Sequence, residues 1–213
     1  MLIRRAHVGA LSQRVRALKY RMLSDCRDVS GSPRCLQPLL LLGKGRIVFG
    51  DDVELGWPSS KSFHTGYCHL EATTVSSRIE IADGVQINND AFIKSEGPGI
   101  SIGRGALIGS EVTIYDSDFH DLRPGHHRSG QPRMAAVDIG EDVFIGDRVL
   151  VLKGVSIGRH SVIGAGSVVT GSVPELVVAA GNPARVIRRL SPRADLSELR
   201  EAARGLADAS LVR

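Results

Sequence analysis

His120 stands at the end of the run Thr113-Ile114-Tyr115-Asp116-Ser117-Asp118-Phe119-His120, where an aliphatic stretch gives way to polar sequence. An imidazole titrates near neutrality, so it can take a proton from a hydroxyl and hand it on within one reaction cycle. Asp118 and Asp116 are close enough in sequence to orient such a ring and stabilise its charged form. Asp at the start of a loop also caps turns, which is the plainer reading of both. His126 and His127 follow in the same segment. They read as loop residues, with contact to a reactant as the sharper alternative. Asn88 adds a carboxamide in Val85-Gln86-Ile87-Asn88-Asn89-Asp90, although Asn also serves at corners because it tolerates left-handed backbone angles. Arg185 and Arg188 offer planar forks suited to phosphate, against the simpler reading of solvated charges.

What positions these residues is a strict period of six over 139–173. Ile139, Ile145, Val151, Ile157, Ile163 and Val169 form one column. Gly140, Gly146, Leu152, Gly158, Gly164 and Thr170 form the next, and Val143, Val149, Val155, Ser161, Ser167 and Val173 a third. A helix needs apolar residues three and four apart, and a single strand needs alternation, so neither fits. The pattern predicts a mainly β fold, a parallel β-helix in which each unit is one short strand and one corner. The aliphatic points inward, the residue four places on fills the space near the corner, and glycine is expected to supply the corner's backbone angles. Three units make a coil, with coils about 4.8 Å apart. Each coil touches only its neighbours, so the ends require caps.

This repeat resembles the hexapeptide-repeat acyltransferases, nearest to the sugar and polysaccharide O-acetyltransferases, over roughly residues 81–188. The resemblance implies a left-handed coil, against the general preference for right-handed crossovers. It implies acetyl-CoA as co-substrate, no metal, and a homotrimer with sites between subunits. His120 lies just after the equivalent of the family's Val-Thr-Ile-Tyr strand, which implies the general base; its spacing matches the polysaccharide enzymes. Asn88 matches an asparagine that contacts the acceptor or reacting centre, and the repeat phase favours it over Asn89. Asp147 and Ala165 are eighteen residues apart and stack at one corner on successive coils, where a long thin ligand parallel to the axis would touch both. That fits the pantetheine arm, and Phe144, Gly164 and Thr170 belong to the same neighbourhood by resemblance. Arg185 and Arg188 match the basic ending near the coenzyme phosphates. The expected activity is O-acetylation of a sugar hydroxyl, by direct transfer because no serine or cysteine has a nucleophile's setting. N-acetylation of a nucleotide-linked amino sugar is the alternative. Serine acetylation fits less well, since it usually brings a larger helical N-terminal domain.

Counting three units per coil puts Ile87 on the second face and Ile114 on the third, one coil higher. Asn88 and His120 therefore leave different corners of one prism, so a shared site requires a second subunit and a heterologous contact that closes a ring. Readings outside acyl transfer fare worse. A zinc site would need three converging histidines, and neighbouring loop histidines make a poor set. A structural β-helix would lack both a base and a coenzyme corner.

The whole chain sets further bounds. Its 213 residues suit one domain with small appendages. A formal charge of +4 favours anionic ligands such as a coenzyme phosphate, but its basic residues cluster at the ends without interleaved aromatics, which argues against nucleic acid. Cys26, Cys35 and Cys68 show no zinc or disulfide spacing, and no long apolar run suggests a leader or a span, so the expected location is cytoplasmic. Residues 1–30 are expected to hold a basic helix striped by Leu11, Val15, Leu18 and Met22. The expectation is a cap under the bottom coil, with an oligomer contact or peripheral membrane contact as alternatives. The β-helix domain is expected over 40–188, its first rungs from Ile47, with a functional loop over 116–136. A helical tail over 189–213 is expected from the capping pattern Asp195 and Glu198.

Overall fold

The computed structural model describes the backbone of residues 2–191 and side chains over 11–191. Short strands, parallel except for the last pair, build three flat sheets of six, eight and six strands, and each sheet takes every third strand in chain order until the final two strands join the second sheet. On the second face Gln86–Ile87 pairs with Leu107–Ile108, then Phe144–Ile145, then Val162–Ile163. Register stacks like residues: Leu55, Ile87, Ile108, Ile145 and Ile163 lie in one inward column. Leu70, Ile93, Ile114, Val151 and Val169 form another. All are essentially buried, as the six-residue period requires. Buried Ser161 and Ser167 keep their hydroxyls satisfied, Ser161 donating to the Pro174 carbonyl at 2.7 Å.

The glycine column is there for a different reason than backbone freedom. Left-handed angles occur three places after the aliphatic, at Asp90, Glu111, Asp142, Arg148 and His160 and at Gly154 and Gly166. Gly140, Gly146, Gly158 and Gly164 are not among them, nor is Asn88. They stand instead where the next coil comes closest. A Cβ on Gly146 would lie 2.7 Å from the Ala165 nitrogen, and one on Gly140 2.7 Å from that of Arg159. Any side chain there would push coils apart.

The coil begins earlier than the periodicity suggests. Asp28–Ser30, Arg34–Cys35 and Leu39–Gly43 are its first turn, and Gly31, Ser32 and Pro33 make its first corner. At the other end Val177–Gly181 and Ala184–Arg189 close the second face as an antiparallel hairpin. The expected tail helix over 195–207 lies outside the described residues.

Leu2–Leu23 is helical, but it does not cap the bottom. It lies on the outside of the third face against Leu39–Gly43. Leu40 is outward by register with His69 and is nonetheless buried. The packing face carries Gln13, Arg16 and Tyr20. Gln13 donates to the Phe63 carbonyl at 2.9 Å, Arg16 to that of Gly66, and Tyr20 stacks on Tyr67 at 4.2 Å. The stripe of Leu11, Val15, Leu18 and Met22 faces away and is exposed. Polar donors near free loop carbonyls outcompeted that stripe for the contact.

Candidate functional site

Two edges of the prism carry the candidate residues. The edge between third and first faces bears two insertions in the repeat, Glu96 to Gly99 on one coil and the 116–136 loop on the next. Asp116 joins them. Its buried carboxylate accepts from the Ser95 hydroxyl at 2.6 Å, the Glu96 amide at 2.8 Å and the Gly99 amide at 3.0 Å. At the loop's base the Asp118 amide donates to the Arg133 carbonyl, and that of Ala135 to Asp116.

Inside the loop, Asp121 is buried and accepts from the Arg123 amide at 2.9 Å and its guanidinium at 2.6 Å. The Arg123 guanidinium holds the Asp121 carboxyl down at about 2. Gly130 passes so close that a Cβ would lie 2.4 Å from that of Asp121. His127 donates from Nδ1 to the Asp121 carbonyl at 2.7 Å. The His127 carbonyl in turn accepts from His120 Nδ1 at 2.9 Å.

That last contact assigns the tautomer. A carbonyl can only accept, so the proton of neutral His120 sits on Nδ1 and Nε2 keeps its lone pair. The ring is exposed, so Nε2 is open to a reactant. Phe119, just before it, has φ of 59°, uncommon for a bulky residue. Its ring is held edge-on to Tyr115 at 4.9 Å with Lys94 5.2 Å from its centroid. This turn sends His120 outward.

Asp118 does not take the orienting role expected of it. Its carboxylate pairs with Lys153 Nζ at 2.8 Å, on the coil above, and ties the loop to the prism. His120 is oriented by a backbone carbonyl instead. His126 takes part only in the loop's turns, its amide donating to the Arg123 carbonyl.

The edge between second and third faces holds a cleft of about 360 Å³, lined by Asn88, Trp57, Ser60, Gln86, Phe144 and Asp147, among others. Asn88 donates to the Ser60 hydroxyl at 2.9 Å. Its neighbour Asn89, fully buried, does the structural work. It accepts from the Trp57 amide at 2.9 Å and donates to the carbonyls of Lys61, Trp57 and Ser60 at 2.9 to 3.2 Å. The two asparagines thus divide: one shows a carboxamide to the cleft, the other anchors the 57–67 insertion. Trp57 stands half-exposed at the mouth, and no periodic pattern marks it as a site residue. Glu96 accepts from the Ser117 hydroxyl at 3.2 Å beside the histidine loop.

Above the cleft, Asp147 and Ala165 are level on successive coils of this edge, as Phe144 pairs with Val162 and Ile145 with Ile163. The Asp147 carboxylate accepts from the Ser110 amide at 2.7 Å, so it is engaged within the coil. Gly164 lies beneath Ala180, and Arg185 is opposite Ala180 in the hairpin. Neither Arg185 nor Arg188 pairs with a carboxylate among the described residues. Thr170 is not with this group. It follows Val168–Val169, so it leaves the far edge of the third face from Ala165. The corner at Gly166 and the strand Val168–Val169 separate them. Asn88 and His120 are likewise on opposite edges of that face. Among the described residues no cluster of His, Cys, Asp or Glu could hold a metal ion.

Residues 136–171 match the family described as bacterial transferase hexapeptide (six repeats). This coil is a hexapeptide-repeat β-helix. Its left-handed class is that of the acetyltransferases. The hexapeptide chain is 42% identical over 97 residues to the galactoside O-acetyltransferase of Escherichia coli K12, covering 44% of this chain and 46% of that one. It is 42% identical over 92 residues to the galactoside O-acetyltransferase of Lactococcus lactis, covering 43% and 44%. The matches thus span about half the length of these relatives. Among solved structures, the polysialic acid O-acetyltransferase OatWY superposes with a TM-score of 0.60 at 25% identity, over 81% of this chain and 82% of that one.

Proposed function

We propose that this protein transfers the acetyl group of acetyl-CoA to a hydroxyl of a sugar or glycan precursor. The observation that carries the reading is the bond from His120 Nδ1 to the His127 carbonyl, which leaves Nε2 basic at an open edge of a hexapeptide coil. Nε2 takes the hydroxyl proton as the oxygen attacks the thioester carbonyl. The tetrahedral intermediate expels the thiolate, and the proton passes from Nε2 to sulfur. Backbone amides at the corner stabilise the oxyanion. Asn88 fixes the acceptor, and Trp57 offers its flat face beside it.

The coenzyme lies along the edge marked by Asp147 and Ala165, with its phosphates toward Arg185 and Arg188. Because Asn88 and His120 occupy opposite edges of one face, the working unit is a cyclic homotrimer in which one subunit's His120 meets its neighbour's Asn88. Thr170 reaches the coenzyme from the same neighbour as His120.

The test is release of free coenzyme thiol from acetyl-CoA against a panel of sugars, nucleotide-linked amino sugars and serine. The expected product loses its acetyl group to mild base, as an ester does. His120→Ala should lower the rate by a factor on the order of 100 to 10,000, the range for a lost general base. A base-stable amide product, or a fully active His120→Ala, would overturn the reading.

A further inference from the structure

We propose that the helix Leu2–Leu23 holds the protein flat against an anionic lipid bilayer. The exposed stripe of Leu11, Val15, Leu18 and Met22 is 56% to 72% accessible. At 100° per residue these four fall within an arc of about 60°. Gln13, Arg16 and Tyr20, which grip the coil, lie on the opposite side of the same helix. The apolar line therefore points directly away from the protein. Single exposed aliphatics need no explanation, but an unbroken line of them on a docked helix does.

Charge decides the partner. Arg14 and Arg21 flank the stripe on one side and Lys19 on the other, all exposed. No Asp or Glu occurs before Asp25, while Arg4 and Arg5 add to the cationic count. A second copy of the helix laid on this one would bring like charges together along both flanks. Lipid phosphates would neutralise them, while the aliphatics enter the acyl boundary. No described helix is long and apolar enough to cross a membrane, so the geometry is in-plane.

The experiment is co-sedimentation of the full chain with phosphatidylcholine vesicles, with and without phosphatidylglycerol. Binding is expected only to the mixed vesicles and should weaken as salt shortens the screening length. Arg14→Gln, Lys19→Gln and Arg21→Gln should each weaken it about fivefold. Leu11→Ser with Leu18→Ser should reduce it further without altering thermal unfolding, since neither side chain is packed. Absence from the mixed vesicles would overturn the proposal. So would a serine variant that still binds, or one that instead changes the sedimentation coefficient, which would give the face to a second copy. None of these outcomes depends on the catalytic reading.

Discussion

His120 is held in place by two carbonyls and one carboxylate. The relay runs from Asp121 to His127 to His120. Its foundation is the Asp121–Arg123 pair, so loop order should depend on pH in a defined direction. A carboxyl whose folded pKa is depressed stabilises the fold fully above its ordinary value near 3.8, and that contribution is lost as pH falls toward about 2. Asp121→Asn should therefore lower kcat at neutral pH and speed amide hydrogen exchange across the loop, a difference that vanishes near pH 2. Equal exchange in both proteins at pH 7 would remove Asp121 from this role. Burial acts oppositely at Cys68, pushing its thiol up to about 12. At pH 8 its alkylation should track global unfolding in denaturant; labelling of the folded protein would contradict its burial.

At the scale of elements, coils approach one another most closely at Gly140, Gly146, Gly158 and Gly164, where a Cβ would meet the next coil within 3 Å. Gly146→Ala places a methyl against the Ala165 backbone and should destabilise by about 1–3 kcal/mol, as overpacking does. Gly171 has open space around its would-be Cβ and an ordinary φ, so Gly171→Ala should lie within about 0.5 kcal/mol of the parent. Thermal denaturation separates the two, and similar losses would refute close approach as the reason for the column. The inward aliphatics obey the other limit. Ile114→Ala leaves a cavity between Ile93 and Val151 and should cost about 2–5 kcal/mol.

For the whole molecule, the decisive fact is that one flat face separates Asn88 from His120. If neighbouring subunits complete each other, mixing inactive His120→Ala and Asn88→Ala chains after dissociation should restore activity. Random assembly in equal amounts leaves about a quarter of the interfaces intact. No recovery, from variants that each retain the parent's sedimentation behaviour, would place the whole site within one chain.

The period of six determined the coil, its three faces and its inward columns, because a stacked repeat imposes the same environment on every sixth residue. It also placed His120 and Asn88 on separate edges by counting alone. It did not reveal why glycine recurs, since a close approach to the next coil and a left-handed corner select the same residue. Nor did it reveal that Asp118 would meet Lys153, that a carbonyl would orient His120, or that Asn89 would anchor the Trp57 insertion. Those partners lie on other coils or across a loop, and hydrogen-bond geometry among distant residues leaves no periodic trace. The helix shows the same limit. Its stripe was legible, but which face packs was decided by carbonyls of the 63–66 segment, brought to it only when the coil closed.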